Sequence, residues 1–344
     1  MKSANITLKD IARVAGVSTA TASLALAGDS RVNIKTKQLV EDVAQRLKYV
    51  PNEIGRSLRA KKAETIALIF PNTPHNAFTH PYFVSLLEGI SEVLVQHNFH
   101  LLVSTSRSEI DESAAYDKIL RNRRADGIIL WPASIKDRNI VKIIESDFPV
   151  VYLGKWHHDE IITVERDEFG GAYMATEHLL KLGHKRIVHI TGPLEYQVSV
   201  DRLDGYKQAL QDHRVLYDPS LVIEKDYTME SGRSAIVKLR EDKVSYDAVF
   251  AGNDMMAIGA IKQLQKCGIS VPGDIAVVGC DNIDMAAILD PALTTIYQPM
   301  QQIGVIAAEK LIALLTNQEV GEVQTVVPTR LIVRDSCGAN KEIS

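Results

Sequence analysis

Residues 7–18 read Thr-Leu-Lys-Asp-Ile-Ala-Arg-Val-Ala-Gly-Val-Ser, and residues 19–28 continue Thr-Ala-Thr-Ala-Ser-Leu-Ala-Leu-Ala-Gly. Thr7 with Asp10 three positions on is the pattern of an N-cap followed by an acidic residue in the first turn. Leu8, Ile11, Ala12 and Ala15 then recur at helical spacing, and Gly16 supplies the stop. Val17 packs in the turn, and Ser18 caps a second helix reaching about residue 27, with Thr21, Ala22, Ala25 and Leu26 on its packed side. A third helix over 34–48 is capped by Asn33 and turns Leu39, Val40, Val43, Ala44 and Leu47 inward. Two short helices joined by a tight glycine-containing turn form a helix-turn-helix; the competing reading is a helical hairpin for dimerisation.

Charge separates the two readings. Of 344 residues, 39 are Lys or Arg and 43 Asp or Glu, a formal net charge of −4. Residues 1–62 hold 12 of the cations and only 5 of the acids, net +7, which leaves −11 on the remainder. A basic head on an acidic body is the electrostatic footprint of phosphate binding confined to one end. Cys267, Cys280 and Cys337 form neither a disulfide framework nor a zinc knuckle, so a cytoplasmic setting is expected. No apolar run has the length of a signal peptide or a membrane span.

After the third helix, Pro51 and Asn52 start a short segment to about residue 60 that cannot be stably helical alone, Gly55 weakening it further. Its basic residues Arg56, Arg59, Lys61 and Lys62 suit folding on contact with DNA. From Thr65 on, apolar runs (66–70, 101–105, 127–131, 150–153, 186–191, 248–252, 275–280) alternate with amphipathic stretches, the mark of βαβ units and parallel sheets covered by helices. That is too much chain for one sheet, so two doubly wound lobes are expected. Ligands sit at the carboxyl ends of such strands. Those ends hold Trp131, Gly154-Lys155-Trp156, Asn253-Asp254 and Asp281-Asn282, with Arg202 opening a helix after Gly192-Pro193.

The stretch 7–18, Lys-Tyr-Val-Pro-Asn (48–52) and Arg-Ser-Leu-Arg-Ala (56–60) closely resemble the headpiece of the lactose-repressor/galactose-repressor (LacI/GalR) family of bacterial transcription regulators. The resemblance continues through Asp167-x3-Gly171, His178-Leu179, Gly183-His184, Gly252-Asn253-Asp254 and Gly279-Cys280-Asp281, and so covers essentially the whole chain. It implies a headpiece at 1–50, a hinge at 51–63 and a periplasmic-binding-protein-like core at 64–338. In that core a first lobe of about 64–165 and 296–323 faces a second of about 166–295 and 324–338, with crossings near Glu165, Thr295 and Gln324.

The resemblance also implies partners: double-stranded operator DNA, bound as a homodimer on a palindrome, and a small effector in the cleft, with no cofactor and no metal. Thr19, Ala20 and Leu24 match the base-reading positions, with Thr21 and Ser23 near phosphates. Thr7, Ser18, Asn33, Thr36, Lys37, Tyr49, Asn52, Gly55, Arg56 and Arg59 complete the DNA-contacting set, and Leu58 matches a leucine that wedges into the minor groove. Many members carry Arg where Leu24 stands, so apolar contact to thymine methyls and DNA shape replace a bidentate guanine contact. Arg202, Asn253 and Asp281 match polar effector residues of sugar-binding members, and Tyr227 an aromatic that stacks on the ligand. Their chemistry, with Trp131, suits a neutral polyol.

Other readings stay open at this point. Asn253 equally caps the following helix, and Tyr227 equally packs in the core. Gly154 stands where some sugar binders use a carboxylate, so the hydroxyl bound there is either missed or served by Lys155 or Asp159, and a Lys leaves room for a phosphorylated or acidic ligand. The loop 71–83 is longer than the family pattern and brings Phe78, His75 and His80 either to the cleft or to the surface. His157-His158-Asp159-Glu160 lacks the distant partners of a metal site. His178 and His184 are structural, the tail has no coiled-coil heptads, and Cys337 is expected at an exposed position. A nucleoside or a phosphorylated carrier protein could replace the sugar as signal. A soluble sugar receptor explains the body but not the head, and the nucleophile, phosphate-loop and zinc motifs of an enzyme are absent.

Overall fold

A computed structural model describes residues 6–49, 62–70, 81–105, 109–132, 134–135, 139–144, 146–156 and 161–339. The hinge residues Asn52, Gly55, Arg56, Leu58 and Arg59, the loop residues His75, Phe78 and His80, and the run 157–160 lie outside them. The chain divides into two compact units, residues 1–63 and 64–344.

In the first unit, α1 (Leu8–Ala15), α2 (Thr19–Leu26) and α3 (Ile34–Arg46) close around Ile11, Ala12, Ala15, Ala22, Ala25, Val32, Val40, Val43 and Ala44. Alanines fill the seam between the first two helices, which lets short helices approach closely. The carboxylate of Asp10 accepts from the backbone N–H and the hydroxyl of Thr7, at 3.1 and 2.7 Å. Gly16 takes the left-handed conformation, φ 66°, and the N–H of Val17 returns to the carbonyl of Ala12 at 3.0 Å, closing α1. Leu39 faces outward, 48 % exposed, contrary to the inward position expected for it. Val40, Val43, Ala44 and Leu47 already complete the i, i+3, i+4, i+7 stripe, and Leu39 lies one residue, some 100°, off it.

The second unit is a pair of six-stranded sheets. The first runs β2 (His100–Thr105), β1 (Thr65–Phe70), β3 (Gly127–Leu130), β4 (Val150–Tyr152), β5 (Ile162–Arg166) and β11 (Gln324–Val327). The second runs β7 (Val222–Glu224), β6 (Ile187–Thr191), β8 (Ala248–Ala251), β9 (Ala276–Asp281), β10 (Thr294–Tyr297) and β12 (Arg330–Ile332). Every pairing is parallel except β10 with β12. Central strands are buried end to end, as parallel strands covered on both faces must be.

Helices α4 (Pro81–Gln96), α5 (Glu109–Asn122), α6 (Asn139–Ile144) and α12 (Met300–Leu315) cover the first sheet. The second is covered by α7 (Glu168–Lys181), α8 (Gln197–Asp212), α9 (Met229–Glu241), α10 (Asp254–Lys266) and the short α11 (Asp284–Ile288). The chain passes between lobes three times, after β5, after β10 and between β11 and β12. The third passage differs from the expected one near Gln324: residues 324–327 pair with β5 in the first sheet, and the chain crosses only at Pro328-Thr329. β11 is a four-residue edge strand with an exposed side, too short and too polar at Gln324 and Thr325 to announce its sheet from periodicity. Among the described residues no helix is long and apolar enough to cross a membrane.

Candidate functional site

The head presents its polar side chains in two ways. Some are spent on caps: Ser18 Oγ accepts from the N–H of Thr21 at 3.0 Å and pairs with its hydroxyl at 2.8 Å, and Asn33 Oδ1 accepts from the N–H of Thr36 at 3.0 Å. Others stand outward at the start of α2, where Thr19 and Ala20 are exposed. Leu24, one turn on, is half-buried against the three-helix core, as are Tyr49 and Leu47. Lys37 Nζ donates to the carbonyl of Gly28 at 2.8 Å. Ser23 and Thr36 are half-buried.

In the core, the strand ends of the first lobe build an apolar wall. Trp131 follows β3 and packs against Phe83 at 4.9 Å between centroids, Phe70 at 5.7 Å and Tyr82 at 5.8 Å. The guanidinium of Arg166, at the end of β5, lies over the Trp131 ring at 5.7 Å. The strand ends of the second lobe build a polar wall. Arg202 on α8 is buried and donates from Nε and Nη2 to Glu168 Oε2, at 2.8 and 2.7 Å, and from Nη1 to the carbonyl of Gly252. Glu168 also lies 2.6 Å from Nη2 of Arg166 and accepts from Gln298 Nε2 at 3.2 Å. Burial alone would raise the Glu168 carboxyl, but the two arginines hold it below its ordinary value.

A narrow pocket opens between these walls, lined by Trp131, Tyr152, Lys155, Glu165, Arg166 and Glu168 from the first lobe and its crossing, and by Gln197, Val198 and Asp201 of α8. The N–H of Ile135 donates to the carbonyl of Glu195 at 2.8 Å, joining the lobes beside it. Trp131 and Lys155 therefore meet in one pocket, Lys155 at its exposed rim.

The other expected effector residues form a cluster next to it. Tyr227 has φ 69° and packs its ring over Gly192, where a side chain would collide with it, and its hydroxyl pairs with Ser199 Oγ at 2.6 Å. Asp281 ends β9 with φ 127°, and burial pushes its carboxyl well above the usual range although Arg202 opposes the shift. Asn253 is occupied at both ends: Oδ1 accepts from Met256 N–H at 2.8 Å and Nδ2 donates to the Tyr227 carbonyl at 3.0 Å. The capping alternative holds for Asn253, and Arg202, expected to donate to ligand oxygens, spends its fork on Glu168.

Several residues of the site were not anticipated. Tyr82 on α4 lies close enough to Arg166, Arg202, Tyr227 and Asp281 for their charges to act on its phenol, which burial pushes upward. Arg166, Glu168, Ser199, Asp201 and Gln298 were equally missed. The charged run Arg166-Asp167-Glu168 following the partly apolar stretch Ile161-Ile162-Thr163-Val164 was the available signal, since consecutive charges beside apolar positions demand partners. Asp254 is wholly buried; its Oδ1 accepts from the Thr295 hydroxyl at 2.5 Å and its Oδ2 from Ile283 N–H at 2.9 Å, and burial pushes it up to about 6. These bonds fix the turn that carries Asp281 and Asn282.

Cys337 is buried rather than exposed. Its thiol meets His178 Nε2 at 3.2 Å and receives the Thr294 hydroxyl at 3.1 Å. The neighbouring Ser336 hydroxyl donates to the Val277 carbonyl at 2.6 Å, docking the tail on the second sheet.

Comparison with known proteins agrees with this layout. Residues 7–52 match the family model described as bacterial regulatory proteins, lacI family, and residues 176–337 that of a periplasmic binding protein-like domain. The HTH-type transcriptional regulator CelR of Thermobifida fusca is 32% identical over 96% of this chain and 98% of its own. A solved complex of CelR with cellobiose superimposes with TM-score 0.75 at 31% identity, over 96% of this chain and 99% of that one. The lac repressor dimer bound to operator and the anti-inducer ONPF superimposes with TM-score 0.85 at 25% identity, over 97% and 99%. With a helix-turn-helix head, a two-lobed core and relatives alike over nearly their full length, the chain belongs to the LacI family of bacterial transcriptional regulators.

Proposed function

We propose that the protein is a repressor that binds a palindromic operator as a homodimer through Thr19, Ala20 and Leu24, and that a neutral sugar in the core cleft controls its affinity. The observation that carries the effector reading is the pairing of two unlike walls. Trp131, with Phe83 and Tyr82 beside it, offers ring faces suited to the apolar face of a pyranose, while Gln197, Asp201, Glu165 and Lys155 line the same pocket with hydroxyl partners. That CelR has been solved with cellobiose and the lac repressor as an operator-bound dimer supports it. A ligand favouring one lobe arrangement would shift DNA affinity by the usual coupling of about 1–3 kcal/mol.

On the head, Leu24 is packed and apolar, so the half-site is read by methyl contact and shape. Site selection from a random duplex pool should return thymine-rich half-sites with no invariant guanine opposite Leu24; an invariant guanine there would refute this part. For the effector, thermal shift of the full chain against sugars and nucleosides should give a neutral-sugar hit that also changes binding to the selected duplex. A nucleoside hit alone would overturn the sugar assignment, and a hit without effect on DNA would overturn the coupling.

A further inference from the structure

Two buried arginines beside a ligand pocket ordinarily announce an anionic ligand, because a guanidinium fork fits carboxylate and phosphate bidentately. Here both forks are already used. Arg202 gives Nε and Nη2 to Glu168 and Nη1 to the Gly252 carbonyl, and Arg166 gives Nη2 to Glu168 and points Nη1 at the Met300 thioether, 3.1 Å away. The side chains of Arg166, Arg202 and Glu168 are 13%, 6% and 7% exposed, so solvent screens none of them. Lys155, the other cation lining the pocket with Arg166, acts on the carboxylates of Glu165 and Asp201.

We infer that Glu168 is a specificity-determining residue: it occupies the place an anionic group would take between Arg166 and Arg202, and so restricts the cleft to uncharged ligands. The inference rests on the carbohydrate reading for the identity of the ligand and decides which carbohydrates qualify. Glu168 lines the pocket beside Arg166, so a phosphate or carboxylate entering there meets a guanidinium whose counter-charge is already in place.

It is also held in position from all three crossings. As the first residue of α7, it follows Asp167, whose N–H donates to the Val327 carbonyl at 3.1 Å and whose carbonyl accepts from the Thr329 hydroxyl at 3.2 Å. Asp167 Oδ1 caps the helix through Gly170 N–H at 2.7 Å, and Gln298 of the second crossing reaches Glu168 directly. A carboxylate clamped by two cations, one amide and a fixed backbone does not swing aside for an incoming anion.

The test uses the full chain with inorganic phosphate as probe, against chloride at equal ionic strength, read by thermal shift and calorimetry. Glu168→Gln leaves two buried guanidiniums with no counter-charge and should bind phosphate at least about tenfold more tightly than the wild type. The Arg166→Met, Glu168→Gln double variant should lose that gain. Equal phosphate affinity in wild type and E168Q overturns the inference. If E168Q folds in neither buffer, Glu168→Asp, which withdraws the carboxylate by one methylene, should show a smaller gain of about threefold, and no gain overturns it equally.

A second arm separates this from the carbohydrate reading. Wild type should respond to cellobiose or glucose and not to glucose 6-phosphate. A response to neither, with the phosphate gain of E168Q intact, rejects the sugar and keeps the gatekeeping role of Glu168. A preference for glucose 6-phosphate keeps the carbohydrate and rejects Glu168.

Discussion

The head and the core use polar side chains on different scales. In the head, the side-chain hydrogen bonds among the described residues are local: Thr7 with Asp10, Ser18 with Thr21 and Asn33 with Thr36 are each three residues apart, and Lys37 with Gly28 nine. The core has local caps too, such as Asn253 with Met256, but adds buried bonds that reach far along the chain: Thr295 to Asp254 spans 41 residues, Arg202 to Gly252 50, Gln298 to Glu168 130 and Thr329 to Asp167 162. A local cap is exposed and finishes one helix, so its loss is a small local change. A buried long-range bond joins elements distant in the chain, and its loss leaves a desolvated partner behind. The head can thus keep an outward surface for DNA, while the core has its cleft residues fixed from several directions.

The largest effect expected from this contrast is at Asp254. Asp254→Ala strands the Thr295 hydroxyl and the Ile283 N–H inside the second lobe, each costing about 1–3 kcal/mol, so the core should lose about 4 kcal/mol. Urea unfolding followed by the fluorescence of Trp131 and Trp156, both in the core, measures this directly. A loss below about 1 kcal/mol would mean that the long-range network carries no more than a surface cap.

Next is a pH effect of opposite sign at two buried groups. His189 on β6 is fully buried, stacked on Phe250 at 4.7 Å and bonded through Nδ1 to the Phe250 carbonyl at 3.1 Å, and burial lowers it from 6.5 to about 4. Between those values the unfolded chain holds the proton and the folded one does not, so His189 makes stability rise with pH, by about 3 kcal/mol over the window. Asp254 does the reverse. Its folded carboxyl titrates at about 6 against 3.8, so the folded chain holds the extra proton and stability falls as pH rises through that range. His189→Asn should therefore tilt the stability curve between pH 4 and 6.5 downward with pH relative to wild type, and Asp254→Asn should tilt it upward. Parallel curves for wild type and variants would show that neither group titrates as its burial demands.

A smaller effect concerns the cleft. Trp131→Ala removes the ring shared by Phe83, Phe70 and Arg166 and should weaken a sugar ligand about 30-fold, near 2 kcal/mol. The same ligand should quench or shift Trp131 emission, a change retained in Trp156→Phe and lost in Trp131→Phe. A signal carried by Trp156 instead would move the ligand away from the aromatic wall.

The same difference of scale explains how much of the structure is legible in the sequence. The three helices of the head, their caps and the Gly16 turn were legible because each signal lies within four residues of its consequence. The two parallel sheets were legible from apolar runs, yet β11 pairs in the other lobe from the one expected and β5, β7, β10 and β12 were not foreseen as strands, because each mixes polar or charged residues into three to five positions, whereas the equally short β3, β4 and β8 are unbroken apolar runs. Trp131 and Lys155 were found from their place at strand ends. Glu168, Tyr82 and Gln298 were not, since their roles exist only where separate segments converge. Asn253 was legible as a cap because Met256 is three residues away, whereas Arg202 was found but its partners were not, because Glu168 and Gly252, 34 and 50 residues away, leave no local pattern.

The smallest effect belongs to the head and tests its independence. Ser18→Ala deletes the acceptor for Thr21 N–H at the start of the helix that carries Thr19, Ala20 and Leu24. A lost cap costs about 1 kcal/mol, so amide exchange in α2 and in the α1 and α3 residues packed on it should quicken about fivefold. Exchange in the strands of the core should not change, because no described side-chain bond of Ser18 extends beyond Thr21. The effect on DNA would be larger than on stability if the cap fixes the angle at which the start of α2 meets the groove, and equal to it if the cap only holds the helix together. A loss of operator affinity well above fivefold, with the core unaltered, therefore distinguishes a cap that orients the reading helix from one that merely completes it.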